Sequence, residues 1–156
     1  MRWELNEDFY DFLVALQETG AEFVIVGAHA LAAHGVVRAT GDLDILFRET
    51  TENAERVFAA LTRFGAPVRA HGITPAGLAE PYAIYQMGLP PRRIDLLNRV
   101  DGPTFDEIWA HRLELDLFGL RLPFIGRAEL IANKRAAGRP KDLLDVDLLL
   151  ARGERP

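Results

Sequence analysis

The feature that most restricts the fold of this chain is a β-rich run that stops dead at a glycine. Glu22-Phe-Val-Ile-Val26 is short, apolar and rich in β-branched residues, which predicts a buried strand. Gly27 breaks the run, and Ala28-His-Ala-Leu-Ala-Ala33 then predicts a short helix ended by Gly35. Asp42-Leu-Asp-Ile-Leu-Phe47 alternates as a strand does. Strand, glycine turn, short helix and strand therefore follow one another within about twenty-five residues.

Local signals place the other elements around this unit. Asn6 is a good N-cap for a helix in which Phe9, Phe12, Leu13 and Leu16 recur at helical spacing, with Gly20 as its stop. Thr51 is the expected cap of a helix over residues 52–64, closed by Gly65. The stretch from Pro67 to Pro81 predicts a short strand and then a turn of helix starting at Thr74-Pro75. Tyr82–Met87 and Arg93–Leu97 flank Gly-Leu-Pro-Pro and predict an antiparallel hairpin with a long loop. A helix over Thr104–His111 follows, and Glu114–Phe118 pairs with Leu120–Phe124 through Gly119. Two helices, Arg127–Ala137 and Pro140–Arg152, are split by Gly138 and Pro140. Hairpins interleaved with helices indicate an α+β fold with a mixed sheet, flanked by helices and closed by a C-terminal helical pair.

Composition sets outer bounds. A chain of 156 residues is expected to form one domain over its whole length. The absence of cysteine excludes disulfides and thiolate metal ligands, and the absence of serine excludes serine-nucleophile catalysis. Acids in MRWELNEDFYDF stand where a signal peptide needs basic and then apolar residues, and no apolar run could span a bilayer. A cytoplasmic protein with no membrane partner is the expectation. A net charge of −5 argues against a protein that coats nucleic acid, although Arg127, Lys134, Arg135, Arg139 and Lys141 crowd one end.

The chemistry concentrates in acids on strands. Side chains two apart on a strand share a face, so Asp42 and Asp44 are expected to project together. Two adjacent carboxylates repel one another unless a cation lies between them, and hard oxygen donors suit Mg²⁺ bridging to phosphates. Gly27 admits close approach of a phosphate, and the N–H groups opening the next helix favour an anion. Asp95 interrupts an apolar strand, Ile94-Asp-Leu-Leu97, and a buried acid needs compensation. Its partner is either Arg92, Arg93 or Arg38 in a salt bridge, or a metal ion shared with Asp42 and Asp44. In the second arrangement Asp95 is a ligand of a second metal ion and the base for an acceptor hydroxyl. His29 and His34 are five apart, poor spacing for one helical face, and read as packing residues. Trp3, Trp109 and the aromatics of the first helix read as core.

On these residues the chain resembles the nucleotidyltransferase superfamily with its polymerase β-like fold. Val26-Gly27-Ala28, then Asp42-Leu43-Asp44, is similar to that superfamily's pattern of hydrophobic-Gly-[Gly/Ser], short helix and Asp-x-[Asp/Glu], and Asp95 matches its third acid. The run Ala33-His-Gly-Val-Val-Arg-Ala-Thr-Gly-Asp-Leu-Asp44 resembles the bacterial branch of AbiEii-type toxins and minimal nucleotidyltransferases, as does Leu130-Ile-Ala-Asn-Lys134 with Gly138–Asp145. The resemblance implies a Mg²⁺-dependent, two-metal enzyme that transfers a nucleoside monophosphate from an NTP to a hydroxyl. It implies metal ligation and catalysis by Asp42, Asp44 and Asp95, and nucleotide contacts from Gly27, Ala28, Arg38, Thr40 and Lys134. It also implies an acceptor that is a tRNA, a protein or a small molecule, and a toxin or antitoxin partner. Arg38 could equally neutralise an acid, Thr40 satisfy backbone groups, and Lys134 be a solvated helix lysine. Asp142 and Asp145 either start the last helix or orient these basic residues.

One departure stands out: Ala28 occupies the position the superfamily gives to Gly or Ser, so a phosphate-contacting hydroxyl is missing. That departure keeps a second expectation open, a nucleotide- or partner-binding module of the same fold without turnover. A metal phosphohydrolase would share the acids but not the glycine-turn spacing.

Overall fold

A computed structural model of the chain describes residues 5–38 and 41–153; Trp3 and Thr40 lie outside the described residues. Helix α1 (Glu7–Glu18) begins at Asn6, whose side-chain oxygen accepts from the Phe9 N–H at 3.0 Å. Its apolar face buries Phe9, Phe12, Leu13 and Leu16, each side chain of this size contributing about 1.5–3 kcal/mol. Strand β1 (Phe23–Val26) is buried at all four positions, so both of its faces are covered. It runs straight into α2 (Gly27–Ala33), and the chain then returns as β2 (Leu43–Phe47), antiparallel to β1. Helix α3 (Thr51–Phe64) is capped by Thr50 rather than by Thr51, the two threonines being adjacent and equally able to cap. Phe64 at its end packs edge-on against Phe12 of α1.

The expected strand between Pro67 and Ile73 is absent. Backbone hydrogen bonds from His71 to Pro67, Gly72 to Arg69 and Ile73 to Val68 wind the segment into consecutive turns. Val68 and Ile73, the apolar residues that suggested a strand, both pack on the core from this wound segment. Thr74 then caps the short α4 (Pro75–Ala79).

Strands β3 (Ile84–Met87) and β4 (Ile94–Leu97) form the expected antiparallel hairpin. Helix α5 (Phe105–Ala110) opens with a reciprocal Thr104–Glu107 capping box, and β5 (Leu113–Leu117) pairs with β6 (Leu120–Phe124). The chain closes with α6 (Arg127–Ala137) and α7 (Pro140–Arg152). The six strands form one mixed sheet in the order β3-β4-β2-β1-β6-β5, parallel at β2–β4 and β1–β6 and antiparallel elsewhere. The architecture is α+β, as the alternation of hairpins and helices predicts. Among the described residues no helix is long and apolar enough to cross a membrane.

Candidate active site

Strand register builds the site. Val26 pairs with Asp44 across β1 and β2, so the next residue, Gly27, lies directly against the Asp44 carboxylate. A Cβ on Gly27 would overlap Asp44 Oδ2, and φ of +69° at this residue is strained for any residue with a side chain. Glycine is therefore required twice over, by backbone conformation and by the acid that rests on it. Asp44 also pairs laterally with Asp95 across the parallel β2–β4 ladder. Asp42 precedes β2 instead of belonging to it, and its Oδ1 accepts from the Arg93 N–H at 3.2 Å.

Asp44 and Asp95 are thus neighbours, and Asp42 is tied to Asp95 through a shared cation, Arg93. Arg93 donates from Nε and Nη2 to the two oxygens of Asp95 at 2.7 and 3.0 Å, and its Nη2 lies 3.3 Å from Asp42 Oδ2. The arginine expected to pair with Asp95 is Arg93, and Asp44 lies beside Asp95 as a shared metal ion would require. Burial raises the Asp44 pKa to about 7, and Asp95 and then Asp42 push it the same way while Arg93 opposes them. A single guanidinium leaves this all-oxygen cluster short of positive charge. The hard donor set fits a divalent cation such as Mg²⁺, although among the described residues no three acids converge as a ready-made ligand set. Arg93 lies where it would have to yield.

The acids open on a cleft of about 910 Å³ between the sheet and the last two helices. Its lining includes Gly27, Ala28, Arg38 and Lys134, four of the five residues expected to contact nucleotide. Val26, the N-cap of α2, makes no side-chain cap hydrogen bond. Lys134 is not a solvated lysine: its side chain is only 13% exposed and its Nζ lies 3.2 Å from Asp145 and 3.5 Å from Asp142. Asp145 also pairs with Arg38, joining the segment before β2 to α6 and α7. Asp142 accepts the Arg139 N–H at 3.2 Å and so caps α7 as well as holding Lys134. Hydrogen bonds from the Arg139 side chain hold its pKa below the usual carboxylate range. Asp142 therefore both starts the last helix and orients a basic residue, while Asp145 orients Arg38 and Lys134.

His29 is buried edge-on to Phe9; desolvation lowers its pKa, and hydrogen bonding of its ring to the Gly41 and Asp42 backbone opposes that shift. His34 Nε2 lies 2.8 Å from the Ile125 carbonyl oxygen. Trp109 stacks between Phe105 and Arg112, away from the cleft lining. Among the cleft residues that escaped the sequence reading are Tyr82, Ile84 and Gln86. The alternation exposed–buried along β3 was visible, but not that its exposed face opens into the cleft.

No family model matches the sequence, and no curated protein matches it. Solved structures do share its fold. One is a candidate nucleotidyltransferase of Thermotoga maritima, 11% identical with a TM-score of 0.56 over 95% of this chain and 94% of that one. Another is a lincosamide antibiotic adenylyltransferase with lincomycin bound, 12% identical with a TM-score of 0.54 over 96% of this chain and 98% of that one. At such identities the likeness is one of fold: the chain has the nucleotidyltransferase fold.

Proposed function

We propose that the chain is a nucleotidyltransferase that moves a nucleoside monophosphate from an NTP to a hydroxyl. The observation that carries this reading is the register Val26–Asp44–Asp95, which sets a glycine turn against two carboxylates in a cleft also lined by Asp42 and by cationic side chains. The fold shared with an adenylyltransferase supports it. Asp42, Asp44 and Asp95 would hold Mg²⁺, two ions in the full site, which when bound neutralises the triphosphate and orients it. The Gly27-Ala28 turn cradles the distal phosphates with backbone N–H groups, Arg38 and Lys134 contact the phosphates from the cleft wall, and Thr40 is a further nucleotide contact. The acceptor oxygen attacks the α-phosphorus, its proton passes to the Asp95 carboxylate, and the bond to pyrophosphate breaks. Positioning and charge supply nearly all of the rate in such a reaction.

Transfer from α-phosphate-labelled ATP, assayed in cell extract with and without Mg²⁺, tests the reading. Labelled product with pyrophosphate release is expected, and transfer that survives Asp42→Asn or Asp44→Asn would sink the assignment. The resemblance of the stretch 33–44 to AbiEii-type proteins supports a toxin or antitoxin partner in the cytoplasm; a neighbouring gene of that kind is the observation to seek. Ala28, and Arg93 seated among the acids, favour a second reading as a binding module of the same fold without turnover. Calorimetry separates them: Mg²⁺ and NTP binding with no pyrophosphate released selects the second.

A further inference from the structure

The end of the cleft farthest along the sheet from Gly27 is built differently from the rest. Gln86 on β3 pairs laterally with Asp95, which pairs with Asp44, so Gln86 is the next side chain outward in the same row. One step along, Ile84 pairs with Leu97. Ile84 and Tyr82 are 68% and 69% exposed, large apolar groups left open to solvent on the cleft wall.

Tyr82 is held there against its own preferences. Its φ of +61° is a left-handed conformation that costs a non-glycine residue about 1 kcal/mol. The turn is pinned by Asn98, a buried side chain that accepts from the Ala83 N–H at 3.1 Å and donates to the Leu78 and Glu80 carbonyls at 3.0 and 2.6 Å. Over the ring sits the Arg99 guanidinium, 4.8 Å from the centroid, fixed by its fork on Glu49 at 2.9 and 3.0 Å. An exposed aromatic kept rigid at a local cost, on the wall of the cleft that holds the acid proposed as base, is a recognition surface. Both cations nearest this wall, Arg93 and Arg99, are committed to carboxylates, and Asp101 adds a further negative charge to the lining. A polyanion would meet Asp95 and Asp101 here, with Arg93 and Arg99 already paired.

We propose that this wall is the acceptor subsite and that it takes a small, neutral, hydroxyl-bearing molecule with an apolar face. The inference rests on the transfer reading given above. The apolar face lies on Tyr82, Ile84 and Leu97, and the Gln86 amide holds the hydroxyl next to Asp95.

The test is a chemical-shift titration of the full chain with 2-phenylethanol, a neutral alcohol with one aromatic face, in the presence and absence of Mg²⁺ and a non-hydrolysable ATP analogue. Shifts confined to residues 82–86 and 97–100, undiminished by the analogue and at least tenfold weaker in Ile84→Glu, are expected. Shifts that fall equally on the exposed leucines of α7, Leu143, Leu144 and Leu148, mean generic stickiness and overturn the proposal. So does a tenfold loss of analogue affinity in Ile84→Glu, which would make this wall the nucleobase site. Perturbation of the wall by total tRNA and not by the alcohol also overturns it. If the analogue binds nowhere, the transfer reading falls, while the alcohol titration still decides which ligand class the wall accepts.

Discussion

Asp44 concentrates the electrostatic strain of the site in one side chain. Its carboxyl keeps its proton up to about pH 7 in the folded protein, because of burial first and then the neighbouring Asp95 and Asp42. In the unfolded chain the same group ionises near 3.8. Between those values the folded state binds the extra proton, so stability in the absence of divalent cations falls as pH rises through this window. Asp44→Asn removes the ionisation and should stabilise the protein at pH 8 by on the order of 1–3 kcal/mol in chelator, read as a higher Tm, while abolishing transfer. An equal or lower Tm at pH 8 would contradict the strain. Gly27 is the matching case in the backbone. Gly27→Ala forces a side chain into a positive-φ position and onto Asp44, and is expected to cost about 1–3 kcal/mol in denaturant unfolding. By displacing the carboxylate it should also lower transfer about a hundredfold.

At the scale of elements, what the sequence revealed and what it hid divide along the distance of the contacts. The β1–α2–β2 unit is legible because its signals are local: a β-branched run, a glycine, an alanine-rich turn of helix and an alternating strand. Asp95 is legible because an acid within Ile94-Asp-Leu-Leu97 is conspicuous on its own strand. Arg93 shares the face of Asp95, two residues away, yet its reach to Asp42 depends on β4 lying parallel to β2, which no local pattern states. The segment 67–73 misled because Val68 and Ile73 look like strand residues, while the turns that bury them are set by tertiary packing. Asn98 was silent for the same reason: its three side-chain hydrogen bonds go to residues fifteen to twenty positions away. Asn98→Ala leaves those backbone groups unpaired and should destabilise the protein by about 2–3 kcal/mol in urea at unchanged m. A neutral result would show that Asn98 does not hold the Tyr82 turn.

Across the whole molecule, a net charge of −5 coexists with a cleft whose lining carries arginines and lysines. Those cations are partly committed: Arg38 and Lys134 to Asp145, Arg139 to Asp142, Arg93 to Asp42 and Asp95. Such pairing fixes the direction of each cation without making the surface generally attractive to nucleic acid, which suits an enzyme that grips one triphosphate. The fold supplies this arrangement by setting residues of α6 and α7 in the same cleft as the acids of β2 and β4. The central claim is that Gly27, Asp42, Asp44 and Asp95 form one nucleotide site. It is tested most directly by a crystal structure with Mn²⁺ and an ATP analogue blocked between the α- and β-phosphates. The account predicts an anomalous peak among the three carboxylates, Arg93 turned away from them, and the distal phosphates on the Gly27-Ala28 turn. Nucleotide bound elsewhere, or Mn²⁺ absent from the carboxylates at saturation, would contradict it.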